Sequence, residues 1–317
     1  KKYFGSLTVK SAIQYSRNVT AVKALEATGL ENSLKFLNSV GINYPEIHYS
    51  NAISSNTSDT SREYGASSEK MAAAYAAFAN GGTYYAPQYV NKIVFSDGTV
   101  KEFPQTGTRV MSEETAYLMT DMMKSVMEVG YGLNASVAGV PMAGKTGTSN
   151  YTDTEMESII AAIPEAAYNT MVVPDENFVG YSSQYAMAVW TGYTNRMTPI
   201  LDNSMRIASD VYHNMMTFMH SDYTATDWEV PSGVVNFGGN YYLRDSSSLK
   251  NAYKNHYNSL SQSSSSSSTS SSSSSSTPAS GTHDNGTQTE TSTSDGTSTS
   301  DTSSNQQNNG NTENTNQ

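Results

Sequence analysis

Residues 143–150 read Ala-Gly-Lys-Thr-Gly-Thr-Ser-Asn, and Lys145 to Thr148 packs a cation, two hydroxyls and a glycine into four consecutive positions. The stretch reads as a short strand. Alternation along a strand sends Thr146 and Thr148 to one face and Lys145 and Gly147 to the other. Both hydroxyls can then meet one ligand. Gly147 has no Cβ, so a ligand can lie against the backbone there and pair with its N–H and C=O groups. The expectation is an edge strand that receives an extended substrate. A plain turn beside a strand is the other reading, because Lys-Thr-Gly arises by chance in a chain of this length with a probability of roughly 0.06. What surrounds the strand therefore decides.

Composition divides the chain near Leu260. Apart from Pro278, Ala279 and His283, residues 261–317 are Ser, Thr, Asn, Gln, Gly or acids. Such a segment cannot bury enough apolar surface to offset chain entropy, so a disordered tail is expected there. The foldable part is assigned to residues 1–233. Residues 234–260 form a Tyr- and Asn-rich extension that the pattern does not place. The net charge of -11, with no Lys or Arg after Lys254, argues against nucleic acid as a partner. Cysteine is absent, which excludes disulfides and Cys-ligated metal. His48, His213, His220, His256 and His283 show no spacing of the HExxH kind, so no metal site and no cofactor are expected. No apolar run approaches the length of a membrane span. The chain opens at Lys1, without an initiator Met or signal peptide, in what reads as the middle of a domain.

Upstream, residues 6–13 read as a helix start with Ser6 as N-cap and Val9, Ala12 and Ile13 on one face. Ser16-Arg17-Asn18 follows. Helices over 20–28, ended by Gly29, and over 32–40, with Leu34, Leu37 and Val40 inward, come next. The polar triplet thus lies at a junction between helices, where side chains can face a cleft. Residues 51–64 read as a polar loop, and an alanine-rich helix runs from Ala66 through Asn80. Residues 84–95 and 100–103 read as a β-hairpin across Ser96-Asp97-Gly98-Thr99. Ser112 caps a helix over 113–129 that carries Ala116, Met119, Met123, Val126 and Met127 at helical spacing. Beyond the Lys145 strand, 178–181 and 185–190 read as a second hairpin flanking it in an antiparallel sheet, with Trp190 in the core. A helix over 205–219 is expected to offer Ile207, Val211, Met215 and Phe218 to that sheet. The fold class is α+β, an antiparallel sheet with flanking helices plus a helical subdomain.

Ser16-x-Asn18 and Lys145-Thr146-Gly147-Thr148 together resemble two of the three signatures, SxxK, SxN and KTG, of the penicillin-recognising serine acyltransferases. Gly-Ala-Ser-Ser-Glu-Lys-Met-Ala-Ala-Ala-Tyr from Gly65, Phe-Ala-Asn-Gly-Gly-Thr-Tyr from Phe78 and Ala-Val-Trp-Thr-Gly-Tyr from Ala188 extend the likeness. They look like the transpeptidase domain of class A penicillin-binding proteins, those of Gram-positive cocci above all, Ser/Asn-rich tail included. The resemblance covers about residues 1–231 and implies the fold shared by penicillin-binding transpeptidases and serine β-lactamases. One signature is missing: nothing before Ser16 fits SxxK, which implies a chain truncated at its N-terminus. Ser67-Ser68-Glu69-Lys70 has the spacing but follows SxN, and reads as a helix cap. Glu165-Ala166-Ala167-Tyr168-Asn169 mimics the ExxxN of class A β-lactamases but follows Lys145, and reads as coincidence.

The resemblance implies a serine acyl-enzyme that crosslinks peptidoglycan stem peptides ending in D-Ala-D-Ala and is trapped by β-lactams. It assigns Ser16 as proton relay and Asn18 as an amide holding the peptide carbonyl and the catalytic lysine. Lys145 becomes the fixed cation near the substrate carboxylate. Thr146 and Thr148 become hydroxyl partners of that carboxylate, Gly147 part of the substrate-binding strand, and the Thr148 N–H an oxyanion donor. It further implies a membrane anchor and a glycosyltransferase domain upstream, other cell-wall synthesis proteins as partners, and a place on the outer face of a Gram-positive cytoplasmic membrane. A D,D-carboxypeptidase or β-lactamase, and a non-catalytic penicillin-sensing or wall-binding module, are the competing readings.

Overall fold

A computed structural model describes residues 4–53, 65–222 and 224–266. The chain divides into two units, Lys1–Gln262 and Ser263–Gln317. Most of the polar loop (54–64) and the expected tail from residue 267 onward lie outside the described residues.

Helices α1 (Val9–Gln14), α2 (Asn18–Thr28) and α3 (Leu30–Ser39) open the first unit, followed by α4 (Ser68–Ala79). Four short strands, β1 (Thr83–Tyr84), β2 (Lys92–Val94), β3 (Val100–Glu102) and β4 (Thr108–Arg109), precede α5 (Glu113–Glu128). Next come β5 (Ala143–Thr148), α6 (Asp153–Ala162), β6 (Val172–Val173), β7 (Asp175–Tyr181), β8 (Ala186–Gly192), β9 (Ile200–Leu201) and α7 (Ile207–Met219). The hairpin β10 (Val234–Phe237) and β11 (Asn240–Leu243) and helix α8 (Ser247–Ser266) complete the order.

The central sheet has three antiparallel strands in the order β5-β7-β8, so β5 is an edge strand and the second hairpin flanks it as expected. Thr146 stands opposite Phe178, which stands opposite Val189, and this face packs on α7 through Ala208, Tyr212 and Met216. The other face carries Ala143, Tyr181 and Ala186 in register and packs on Met123 of α5 and on Tyr75 and Phe78 of α4. The Tyr181 hydroxyl, buried against α5, pairs with Thr120 Oγ1 at 2.9 Å. With helices on both faces of an antiparallel sheet and a helical block before it, the molecule is α+β.

Several local expectations shift. Thr8, not Ser6, caps α1 by accepting the Ser11 N–H at 3.1 Å. Val9 is exposed while Ala12 is buried, because a helix of only six residues packs a narrow stripe. Helix α2 begins at Asn18, two residues before the apolar pattern starts, and α3 ends at Ser39. In the first hairpin only Lys92–Val94 and Val100–Glu102 pair, and Tyr84 belongs to a separate ladder with Thr108. Trp190 is 48% exposed rather than core. Its row across the sheet is Trp190, Asn177 and Gly147, in which Asn177 is exposed and Gly147 has no side chain, so the neighbouring strands offer the indole no large side chain to pack on.

Helix α7 presents a different face from the one expected. Ala208, Tyr212 and Met216 are buried, whereas Ile207, Val211, Met215 and Phe218 are exposed. The extension that the pattern did not place is a hairpin and a helix: Tyr241 of β11 meets Tyr117 of α5 edge to face at 5.3 Å, and Phe237 packs on Tyr253 of α8 at 4.3 Å.

Candidate active site

Helix α1 ends where Ser16 begins the polar triplet. The Arg17 N–H donates to the Ala12 carbonyl at 2.9 Å and the Ser16 N–H to that of Ile13 at 3.1 Å. This is the paired bonding of a Schellman helix end, in which the residue at the Ser16 position is left-handed. Ser16 has φ 49°, the one non-glycine residue with positive φ among the described residues. Glycine is the ordinary occupant of such a position, and an L side chain there costs on the order of 1 kcal/mol. The strain sits on a residue whose hydroxyl has a partner across the molecule.

Two contacts fix this turn against α5. Lys10 pairs with Asp121 at 3.0 Å. Gly130, just beyond α5, allows close approach: a methyl group there would lie 2.7 Å from the Gln14 carbonyl oxygen and 2.8 Å from Val126 Cα. Helix α5 also packs on β5, so one element holds both halves of the site.

The Lys145 ammonium donates to Ser16 Oγ at 2.8 Å, to the Thr146 carbonyl at 3.0 Å and to Thr146 Oγ1 at 3.4 Å. The pleat sends Lys145 and Thr146 to opposite faces, as the register with Val179 and Phe178 requires, yet the long lysine stem brings cation and hydroxyl together at the open edge of β5. Its three donors thus meet neutral oxygens only. No carboxylate pairs with Lys145 among the described residues. Burial pushes the ammonium down to about 8. A partly desolvated cation facing hydroxyls at an open strand edge has the chemistry to receive an anion.

Gly147 and Thr148 continue the edge strand, with Thr148 exposed. Asn18 is the first residue of α2, its side chain exposed and without a hydrogen bond among the described residues. Ser67 Oγ accepts the Lys70 N–H at 3.3 Å, the geometry of a helix cap. Asn169 Nδ2 donates to the Glu165 backbone carbonyl at 2.9 Å, a local bond away from Lys145 in sequence and in partner.

Sequence reasoning missed a polar clasp at the exit of β5. Ser149 Oγ donates to Asp175 Oδ1 at 2.8 Å, and Arg196 donates to Glu155 Oε1 at 3.1 Å and to the Asn150 carbonyl at 3.0 Å. The Tyr151 hydroxyl donates in turn to the Arg196 carbonyl at 2.5 Å. The signal was the capping box Thr152-x-x-Glu155, whose Glu155 both closes the box and receives the arginine. Among the described residues no cluster of His, Asp or Glu could hold a metal ion, and no helix is long and apolar enough to cross a membrane.

The penicillin binding protein transpeptidase domain family matches residues 1–216. Penicillin-binding protein 1A of Streptococcus pneumoniae is 56% identical over 236 residues, covering 74% of this chain and 32% of the relative. Penicillin-binding protein 1A of Streptococcus oralis is 58% identical over 229 residues, covering 72% and 35%. The chain therefore spans about a third of the length of these curated relatives. Among solved structures, penicillin-binding protein 1A from Haemophilus influenzae aligns with a TM-score of 0.61 at 16% identity, over 77% of this chain and 41% of that one. The PonA1 protein from Mycobacterium tuberculosis, solved in complex with penicillin V, aligns with a TM-score of 0.59 at 20% identity, over 77% and 64%. These structures share the fold. With the family match spanning the site strand and the serine turn alike, and streptococcal relatives identical at more than half of the aligned positions, the chain belongs to the penicillin-binding protein transpeptidases, among the class A proteins of Gram-positive cocci.

Proposed function

We propose that residues 1–233 are the carboxylate-binding and proton-relay portion of a serine-type D,D-transpeptidase that crosslinks peptidoglycan stem peptides and is inhibited by β-lactams. One observation carries this reading: the Lys145 ammonium, with no counter-ion among the described residues, donates to Ser16 Oγ at 2.8 Å on the open edge of β5.

In this reading the terminal carboxylate of a D-Ala-D-Ala stem is the anion that Lys145 receives, with Thr146 and Thr148 hydroxyls as further donors. A nucleophilic serine and its lysine base, carried upstream of Lys1 in the full-length protein, attack the penultimate D-alanine carbonyl. The serine oxygen forms an ester bond, and the oxyanion of the tetrahedral intermediate takes the Thr148 N–H, a donor of the kind worth about 3 kcal/mol of barrier. When the intermediate collapses, the C–N bond breaks, and Ser16, whose oxygen accepts from Lys145, passes the serine's proton to the departing D-alanine nitrogen. Asn18 steadies the peptide carbonyl. The amine of a second stem then attacks the ester, the serine leaves with the proton that the amine loses, and a new amide crosslinks the two stems. A β-lactam opens by the same attack, but its leaving amine stays attached.

Membership of the class A proteins implies, in the same reading, an upstream glycosyltransferase domain and membrane anchor, a place on the outer face of the cytoplasmic membrane, and other wall-synthesis proteins as partners, and the relatives' greater length leaves room for further domains. The test is labelled penicillin. The 317-residue chain alone is expected to form no covalent adduct, the full-length gene product to form one, and Lys145→Ala in the full-length product to abolish it. Acylation of the isolated chain would move the nucleophile to Ser67 or another residue within it and overturn the assignment.

A further inference from the structure

Thr148 is the last residue of β5, and in the acyl transfer described above its N–H takes the oxyanion. The Thr146 carbonyl accepts from Lys145 and so faces the open edge of the strand. Successive residues of a strand turn their N–H and C=O groups to opposite edges, so Thr148, two positions on, faces outward as well. Its pairing with Glu176 is the last rung of the ladder with β7. The aim of that N–H therefore depends on how residues 149–155 are held once the chain leaves the sheet.

Arg196, on the connection between β8 and β9, holds them. Its Nε donates to Glu155 Oε1 at 3.1 Å and its Nη2 to the Asn150 carbonyl at 3.0 Å, so one guanidinium bridges two points of the segment. Glu155 Oε2 is taken by the Thr152 N–H at 2.8 Å, which leaves Oε1 for the arginine. Tyr151 lies between the two: its hydroxyl donates to the Arg196 carbonyl at 2.5 Å, and its ring centre is 5.4 Å from the guanidinium carbon. The Arg196 and Glu155 side chains are 33% and 27% exposed, so water only partly reaches the pair.

We propose that Arg196 is a positioning residue for acyl transfer, fixing the exit of β5 and with it the aim of the Thr148 N–H. The proposal deepens the transpeptidase reading and rests on it. A bond to a single acceptor would leave the segment free to pivot, whereas a rigid fork that grips the Asn150 backbone and the first turn of α6 together does not. Ser149 adds a second anchor, donating to Asp175 Oδ1 at 2.8 Å at the start of β7. With the segment gripped from both sides, the donor is aimed before a ligand arrives, and an oxyanion donor stabilises the developing charge only from within hydrogen-bond reach. Among the described residues Arg196 bonds neither Lys145 nor Ser16, so it acts on the chemistry through the backbone of this segment.

The test uses the full-length gene product and benzylpenicillin, with rapid kinetics separating the dissociation constant of the reversible complex, the rate constant of ester formation and the final amount of adduct. The amount of adduct reports how much protein is folded, and the rate constant reports how well the donor is aimed. Arg196→Met is expected to lower the rate constant about tenfold, less than the loss of an oxyanion donor outright, and to leave the dissociation constant within about threefold. Arg196→Lys keeps the charge but reaches only one acceptor, and is expected to lower the rate constant about threefold. An unchanged rate constant in Arg196→Met, or a loss confined to the amount of adduct, overturns the assignment. A lysine variant as fast as the parent would show that charge rather than the fork holds the segment, and overturns it too. Failure of the unaltered protein to react would instead overturn the transpeptidase reading on which the proposal rests.

Discussion

Tyr212 closes over Gly180: a methyl group at position 180 would lie 2.6 Å from the Tyr212 hydroxyl oxygen and 3.0 Å from the Ala143 carbonyl oxygen on the neighbouring strand. That glycine lets α7 seat on the sheet beside the strand that carries Lys145. Gly180→Ala is expected to destabilise the fold by about 1–3 kcal/mol, the range for overpacking a close-packed core, read as a lower urea midpoint. The Tyr212 hydroxyl is buried without a hydrogen-bond partner among the described residues. Tyr212→Phe alone should therefore be neutral or stabilising by about 1 kcal/mol, and should recover part of the loss when combined with Gly180→Ala. Independent, additive effects of the two changes would contradict the contact.

The same contact explains what was illegible in the sequence. Helix α7 has apolar residues on two faces, Ile207, Val211, Met215 and Phe218 on one, and Ala208, Tyr212 and Met216 on the other. Periodicity ranks the first face as the more apolar. What chooses the second is complementarity with a sheet that supplies Gly180 opposite a ring, a fact located on another element. The three-stranded arrangement was legible, because the short apolar runs 178–181 and 185–190 are joined by a brief polar turn and β5 has the composition of an edge. The hydrogen bond between Lys145 and Ser16, 129 residues apart, was not readable from any local pattern. Only the paired motifs pointed to it. The left-handed turn at Ser16 was invisible as well, since serine there breaks the glycine preference that would have announced it.

Burial pushes the Lys145 ammonium from its ordinary 10.5 to about 8. In the unfolded chain the proton stays on up to the ordinary value, so below about 8 the fold bears the full penalty of a buried charge. Between the two values rising pH relieves that penalty, because the unfolded state holds a proton that the folded state has shed. Lys145→Met is thus expected to raise the Tm at pH 7 by roughly 3–6 °C, with the advantage shrinking as pH climbs from 8 to 10. Penicillin acylation in the full-length protein should run the opposite way, falling above pH 8 as the cation discharges. Calorimetry across that window decides. A methionine variant less stable than the parent at pH 7 would show that the neutral oxygens around Lys145 compensate the charge after all.

Glu176 is the cross-strand partner of Thr148, lies buried, and accepts the Ala208 N–H at 3.3 Å at the start of α7. Desolvation raises its carboxyl above the ordinary 4.5, aided by Asp210 and opposed by the Ala208 and Thr191 hydrogen bonds. A raised carboxyl stabilises the fold below its unfolded value, and that contribution is lost as pH rises through the folded one. At neutral pH the ionised group is therefore a cost, although the helix N-terminus offsets part of it. Glu176→Gln keeps an acceptor for the Ala208 N–H and removes the charge. The glutamine variant is expected to melt about 2–4 °C higher at pH 7.5 and to lose that margin near pH 4. A margin that grows on acidification would have the wrong sign.

Ser16 holds its hydroxyl on Lys145 from a left-handed backbone, so two substitutions separate the side chain from the conformation. Ser16→Ala removes the hydroxyl and leaves a Cβ in the unfavourable region, whereas Ser16→Gly removes both. In the full-length protein both variants should lose most labelled-penicillin acylation, because each removes the oxygen that accepts from Lys145 at 2.8 Å. Their stabilities should differ. The glycine variant is expected to be about 1 kcal/mol more stable than the alanine variant, since glycine is the residue that a Schellman turn accommodates without a steric penalty. Chemical denaturation of the pair measures that difference directly, and equal midpoints would mean that position 16 relaxes out of the left-handed region once its hydroxyl is gone. In that case the bond to Lys145, rather than the helix end, is what holds the turn in place.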